Sequence, residues 1–142
     1  MFGPHLILEG YGGNPIKLGD VGGMYDLLDA FPARIHMTKI MPPHVQKHLD
    51  APNPLWGVSG FVMIAESHIA LHTFPENGFV SLDIFSCKPF EIERAVEIVV
   101  EEFDLERYEK KVLQRGRHYP HDIQGTSKII GADRSKILTL TR

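Results

Sequence analysis

Residues 60–86 read GFVMIAESHIALHTFPENGFVSLDIFS, and this stretch decides the fold. It contains three short segments with the length and composition of strands, Gly60–Ala65, His68–Phe74 and Phe79–Ser86. Pro75-Glu76-Asn77-Gly78 separates the last two, and Asn-Gly is a strong hairpin signal. A tight hairpin joins antiparallel strands, so the sequence predicts an antiparallel sheet here.

Side chains of a strand alternate between the two faces of a sheet, so the pattern assigns polar residues to faces. One face of the second strand carries His68, Ala70, His72 and Phe74. One face of the third carries Ser81, Asp83, Phe85 and, if the strand continues, Cys87.

Two amphipathic helices flank this β region. An apolar stripe at helical spacing follows the N-cap candidate Asp20, runs from Val21 to Phe31 and stops at Pro32. A clearer stripe runs from Ile92 to Phe103, with Pro89 near its start.

Three further segments read as strands: His5–Tyr11, Arg34–Met41 and Arg107–Arg115. Between them, Pro42–Trp56 is rich in proline and reads as a long irregular stretch, and no element is assigned beyond Gly116. Two helices cover one face of a sheet, so we expect an α/β (α+β) two-layer sandwich with both helices on one face of an antiparallel sheet.

Length and composition fit one soluble domain over residues 1–142. The chain has 142 residues and a net charge of −3, which does not favour binding to nucleic acid or an anionic membrane. The start of the chain lacks the pattern of a signal peptide, and a single cysteine, Cys87, fits a reducing compartment. We therefore expect a cytoplasmic protein.

The residues that carry chemistry come in four short motifs: Gly57-Val58-Ser59-Gly60, Glu66-Ser67-His68, His72-Thr73-Phe74-Pro75-Glu76 and Phe85-Ser86-Cys87. Together, at these separations, they resemble the bacterial and archaeal S-adenosylmethionine decarboxylases, which are pyruvoyl enzymes made as proenzymes. The resemblance is dense from Gly57 to Cys87 and looser from Met1 to Arg115.

The resemblance implies that the chain cuts itself between Glu66 and Ser67 into chains 1–66 and 67–142. The Ser67 hydroxyl attacks the Glu66 carbonyl, the resulting ester eliminates, and the dehydroalanine left behind hydrolyses to a pyruvoyl group. That group condenses with the substrate amine and accepts electrons as carbon dioxide leaves, as pyridoxal phosphate does. The implied product is the aminopropyl donor for spermidine and polyamine synthesis.

The resemblance also implies roles for further residues. Ser59 matches a processing residue that could stabilise the oxyanion, His72 the processing base, and Cys87 the proton donor in decarboxylation. Glu76 matches a residue that contacts the substrate ribose, while Trp56 and Phe74 are aromatic candidates for the substrate pocket. The resemblance implies a homodimer of cleaved protomers.

Substrate identity stays open at this point. The family commonly has a phenylalanine where Asn53 stands here, and Phe74 replaces a tryptophan. A relative with the same chemistry could decarboxylate arginine or ornithine, for which carboxylates such as Asp50, Glu76 and Asp83 are available.

The alternative from another class is an uncleaved, non-catalytic homologue that serves as a binding subunit. Occupation of every matched catalytic position argues against it. Eight histidines raise the question of a metal site, but pairs such as His44/His48 and His68/His72 do not lie at convincing ligand spacings. We therefore expect no metal and no pyridoxal phosphate.

Overall fold

The computed structural model describes residues 3–116 and residue 118, and this part of the chain contains six strands and three α-helices. The strands are β1 (Gly3–Tyr11), β2 (His44–His48), β3 (Gly57–Ile64), β4 (Ser67–Phe74), β5 (Phe79–Ser86) and β6 (Arg107–Arg115). The helices are α1 (Pro15–Leu18), α2 (Val21–Arg34) and α3 (Ile92–Phe103), and a 3-10 turn spans Pro75–Asn77. The prediction of no element beyond Gly116 falls outside these residues.

All six strands lie in one antiparallel sheet with the order β2-β3-β4-β5-β1-β6. The hairpin between β4 and β5 is confirmed, and its turn ends at Gly78, which adopts a φ of 60°. This left-handed conformation costs glycine little, which explains the residue at this turn. Strand β1 enters the sheet between β5 and β6, far from its neighbours in the sequence.

The hydrophobic core lies between one face of the sheet and helices α2 and α3. The helices bury one stripe each, which includes Leu28 and Phe31 of α2 and Val99 and Phe103 of α3. The strands contribute alternate residues to the same core, as the buried Ile69 and Leu71 of β4 show. The predicted two-layer sandwich is confirmed.

Helix α2 begins where the sequence predicts. Asp20 is its N-cap, and its Oδ1 accepts a hydrogen bond from the Gly23 backbone N–H at 2.9 Å. The helix continues two residues past Pro32 to Arg34, so the proline lies in its last turn and does not end the helix at once.

The predicted strand Arg34–Met41 is wrong. Arg34 ends α2, and the following segment makes one isolated bridge, between Lys39 and Ile64. The strand instead is β2, inside the stretch predicted to be irregular. Strand β2 lies at the edge of the sheet with four of its five residues exposed, so it lacks the apolar alternation that reveals a half-buried strand.

The second face of the sheet carries no helix in the described part of the chain and exposes apolar side chains. Phe61 and Met63 of β3 are 39% and 45% exposed, and Leu113 of β6 is 39% exposed. We call this the open face; exposed apolar surface is found at many interaction sites. None of the helices described has the length and apolar character that a membrane crossing requires.

Candidate functional site

The turn between β3 and β4 holds the Glu66–Ser67 peptide bond in one position. The Glu66 side chain accepts a hydrogen bond from the Thr38 backbone N–H at 3.0 Å, and its carboxylate is 10% exposed. Its main-chain carbonyl oxygen accepts a hydrogen bond from the Cys87 N–H at 2.9 Å. Glu66, the residue before the predicted cut, is therefore held by hydrogen bonds to both its side chain and its main-chain carbonyl.

Ser67 opens β4 with a φ of 156°, a value that residues other than glycine rarely adopt. Its hydroxyl oxygen lies 3.3 Å from Nδ1 of His68. A strained backbone residue at a candidate reaction centre is a recurrent feature of functional sites.

A chain of hydrogen bonds leads away from Ser67 across the open face. His68 Nε2 lies 2.7 Å from Asp83 Oδ2, and His5 Nε2 lies 2.9 Å from the same oxygen. The three side chains are partly buried, with Asp83 between the two rings.

Ser59 and His72 form a second polar group on the open face. They stand opposite each other on β3 and β4, and His72 Nδ1 lies 2.8 Å from Ser59 Oγ. His72 lies five residues from Ser67 along β4, which corresponds to about 16 Å in an extended strand. The structure brings the two predicted processing residues together but separates both from Ser67 within one protomer.

Cys87 directly follows β5, and its thiol is exposed. The hydrogen bond from its N–H to the Glu66 carbonyl oxygen places this residue beside the predicted cleavage point. The structure thus brings together Glu66, Ser67 and Cys87.

The three predicted substrate-binding residues cluster at the opposite end of β4. Trp56 Nε1 donates a hydrogen bond to Glu76 Oε1 at 3.0 Å, and the Phe74 ring packs against the rings of His48 and Phe79. Phe74 lies seven residues from Ser67 on the same strand, or about 23 Å. A single protomer therefore does not place this cluster at Ser67.

A groove of about 880 Å³ on the open face connects Ser67 to the Ser59–His72 pair. Apolar side chains form much of its wall, among them Ile40, Phe61 and Met63. A mostly apolar concavity with a few convergent polar groups is the usual form of a small-molecule site.

One group of residues in the described part of the chain has the donors of a metal site. One nitrogen of His5, one of His68 and one Asp83 oxygen all lie within 4.8 Å of one another. Each nitrogen already has a hydrogen-bond partner in Asp83, so a cation would have to replace both hydrogen bonds.

Sequence reasoning gave no role to His68 or His5, and it offered Asp83 only as a carboxylate for an alternative substrate. The alternation did place His68 and Asp83 on defined faces, but it gave no reason to pair them. His5 is 62 residues from Ser67, and only the insertion of β1 beside β5 brings it to the site.

Comparison with known proteins decides the family. A sequence model of the family described as S-adenosylmethionine decarboxylase matches residues 4–116. The chain belongs to the S-adenosylmethionine decarboxylase family. The matched range includes every residue that the motifs singled out, from Ser59 to Cys87, so the resemblance seen in the sequence is confirmed.

Relatives within the S-adenosylmethionine decarboxylase family cover most of the chain. The chain is 36% identical over 115 residues to the S-adenosylmethionine decarboxylase proenzyme of Archaeoglobus fulgidus, which covers 80% of this chain and 97% of the relative. It is 31% identical over 115 residues to the proenzyme of Aquifex aeolicus, covering 80% and 81% of the two chains.

The crystal structure of the adenosylmethionine decarboxylase from Aquifex aeolicus VF5 has the same fold. It superimposes with a TM-score of 0.69 at 27% identity, and covers 85% of this chain and 95% of that chain.

Proposed function

We propose that this chain is a proenzyme that cuts itself between Glu66 and Ser67, converts Ser67 to a pyruvoyl group and decarboxylates S-adenosylmethionine. The observation that carries the proposal is the setting of the Glu66–Ser67 bond in a member of this family. The attacking hydroxyl belongs to a residue with a rare φ, and a backbone N–H donates to the carbonyl under attack.

The first step forms an ester. Ser67 Oγ attacks the Glu66 carbonyl carbon, and negative charge develops on the carbonyl oxygen. The Cys87 N–H, 2.9 Å from that oxygen, stabilises the charge as an oxyanion-hole donor does. The attack also releases backbone strain at Ser67, which favours ester formation.

The second step makes the pyruvoyl group. A base removes the Ser67 α-proton, the Glu66 carboxylate leaves from Cβ, and the resulting dehydroalanine hydrolyses to pyruvoyl and ammonia. We assign this base to His72, because histidine is the side chain that most often acts as a general base. The pyruvoyl ketone then forms an imine with the substrate amine and accepts electrons as carbon dioxide leaves, and Cys87 supplies the proton to the carbanion.

We further propose that the active site is built from two copies of the chain. A catalytic base must come within about 3 Å of the proton that it removes, whereas His72 lies about 16 Å along the strand from Ser67 of its own protomer. A second copy stacked on the open face supplies His72 and Ser59 to the first, and covers the apolar side chains exposed there.

A two-fold axis across β4 meets this requirement. If the axis passes over the strand midway between Ser67 and His72, beside Ala70 and its neighbour Phe61, each Ser67 faces the His72 of the other copy. The same rotation carries Phe74 of the second copy toward the Ser67 end of the first. In this arrangement the aromatic cluster lies far from Ser67 of its own protomer but near Ser67 of the other copy.

An apolar groove with aromatic faces suits the substrate. The S-adenosylmethionine sulfonium is a cation attached to a flat base, which aromatic rings such as Phe61 and Phe74 can bind. Arginine and ornithine, the alternative substrates, gain no support from the relatives, which are decarboxylase proenzymes of S-adenosylmethionine.

The test combines intact mass with carbon dioxide release. We expect two fragments, 1–66 and 67–142, the second beginning with pyruvoyl, and carbon dioxide release from S-adenosylmethionine but not from arginine or ornithine. Ser67→Ala, which removes the nucleophile, provides the matched control and should stay whole. A wild-type chain that remains at 16.0 kDa and is inert to all three substrates would contradict the proposal and favour a non-catalytic binding subunit.

A further inference from the structure

We propose that His68 is the catalytic base of the first processing step, which takes the Ser67 hydroxyl proton, and that Asp83 and His5 are positioning residues that hold it. The inference rests on the self-cleavage proposed above. It concerns ester formation, whereas His72 is assigned to the later removal of the Ser67 α-proton. It follows from the hydrogen-bond chain that begins at Ser67 Oγ and crosses strands β4, β5 and β1.

The hydrogen-bonding roles can be assigned from the far end of this chain. Arg115 Nη1 lies 3.5 Å from His5 Nδ1, and its guanidinium stacks on the Phe85 ring with Cζ 4.0 Å from the ring centre. A guanidinium only donates hydrogen bonds, so His5 Nδ1 accepts and the His5 proton resides on Nε2. His5 Nε2–H therefore donates to Asp83 Oδ2.

The same reasoning fixes the state of His68. Asp83 Oδ2 is an acceptor, so His68 donates to it from Nε2 at 2.7 Å. In the neutral ring Nδ1 is then unprotonated, and it faces Ser67 Oγ at 3.3 Å. The Ser67 hydroxyl donates to this nitrogen, which is the arrangement of a nucleophile, a base and an orienting carboxylate.

The proton is conserved through the step. As the Ser67 oxygen bonds to the Glu66 carbonyl carbon, its proton moves to His68 Nδ1, and Asp83 stabilises the imidazolium. When the tetrahedral intermediate collapses, the bond between the Glu66 carbon and the Ser67 nitrogen breaks. His68 returns the proton to that nitrogen, which leaves a free amine and an ester.

His68 and His72 therefore serve different steps. His68 is adjacent to the nucleophile in the same protomer, while His72 comes from the second copy and acts on the α-proton after the ester exists. Loss of His68 should slow ester formation, whereas loss of His72 should block only the elimination that follows it.

The experiment measures ester formation directly. Hydroxylamine attacks an ester at the Glu66 carbonyl and releases fragment 67–142 with a free Ser67 amine, so cleavage by hydroxylamine in the His72→Ala variant reports how fast the ester forms. Adding His68→Ala to this variant should slow hydroxylamine cleavage by about 100-fold, the lower range for general-base catalysis. Asp83→Asn and His5→Gln should slow it by a smaller factor, because each leaves the base in place but less well oriented.

Two readouts separate catalysis from a structural defect. Added imidazole should restore part of the cleavage in His68→Ala, because a small base can occupy the space of the deleted ring, and thermal unfolding should match the parent variant. His68→Gln, which fills the space without a base, should not respond to imidazole. His36→Asn, which replaces an exposed histidine outside the groove, is the matched control and should cleave at the parental rate.

Several outcomes would overturn the inference. Hydroxylamine cleavage of His68→Ala/His72→Ala at the rate of His72→Ala would exclude His68 as the base even though self-cleavage stands. A stoichiometric metal in the purified wild-type protein, with cleavage altered by its removal, would mean that His5, His68 and Asp83 bind an ion instead. A wild-type chain that never cuts would refute the proposed function and this step together.

Discussion

Complementation between two inactive variants tests whether the processing site forms across two copies of the chain. His72→Ala keeps the Ser67 nucleophile but lacks the α-proton base, and Ser67→Ala keeps the base but lacks the nucleophile. Each should stay whole when produced alone. In a mixed dimer, Ser67 of the first variant faces His72 of the second, and only the His72→Ala chain can be cut.

The expected amount follows from the geometry. Five residues of extended strand separate His72 from Ser67 by about 16 Å, which excludes direct proton transfer within one protomer. If the two variants are produced together in equal amounts and pair at random, about half of the His72→Ala chains lie in mixed dimers. We therefore expect about half of those chains to be cut, and none of the Ser67→Ala chains.

Different affinity tags on the two chains allow their fragments to be counted by intact mass. Production of each variant alone sets the background, and co-purification of the two tags shows that mixed dimers exist. Mixed dimers in which the His72→Ala chain stays whole would refute a site shared between copies. Cleavage of His72→Ala when produced alone would refute the assignment of His72.

Three further outcomes follow from the contacts described. Cys87→Ala should still cut itself, because the backbone N–H that donates to the Glu66 carbonyl remains. It should release carbon dioxide more slowly than the wild type, because it lacks the proton donor. Loss of self-cleavage would show that the thiol itself takes part in processing. Phe61→Glu places a charge on the open face, so this variant should elute as a monomer and fail to cut itself. Tyr25→Glu, a change at an equally exposed position in the helical layer, is the control and should remain dimeric and cut itself. A dimeric Phe61→Glu would place the interface elsewhere. Thr73→Val should lower the free energy of unfolding, measured by urea titration, by about 2 kcal/mol. The reason is that the fully buried Thr73 hydroxyl donates to the Leu18 carbonyl at 2.7 Å, and its loss leaves that carbonyl unpaired. An unchanged urea midpoint would contradict this account.

Most of the fold could be predicted because its core elements bury one face each. Strand β5, helix α3 and strand β6 have the predicted limits, whereas helix α1 was not predicted and the second strand lies in a different segment. The failure at β2 has a physical cause: an exposed edge strand is held by backbone hydrogen bonds, which any sequence can make. The buried Ile35 and Met37 mimic a strand pattern, although they enter the core from an irregular segment.

The site could be predicted only in part. The family resemblance implies roles for Ser67, Ser59, His72 and Cys87, but the sequence carries no information on which of them meet in one protomer. The separation of His72 from Ser67 follows from their place on one continuous strand. The link between His68 and His5 runs through Asp83 and depends on the pairing of β1 with β5, a long-range contact that no local sequence pattern predicts.

The order of strands also determines how the two fragments of the proposed cut would hold together. Fragment 1–66 supplies β1, β2 and β3, fragment 67–142 supplies β4, β5 and β6, and β1 lies between β5 and β6. Each product is thus interleaved with the other in one sheet, and neither can leave without unfolding the whole. Folding of one protomer is unimolecular for the precursor but would be a bimolecular association of fragments after the proposed cut, so the recovery of cut protein from denaturant should fall on dilution. If the chain cuts itself as proposed, each protomer must afterwards be assembled from two fragments and no longer folds from a single chain.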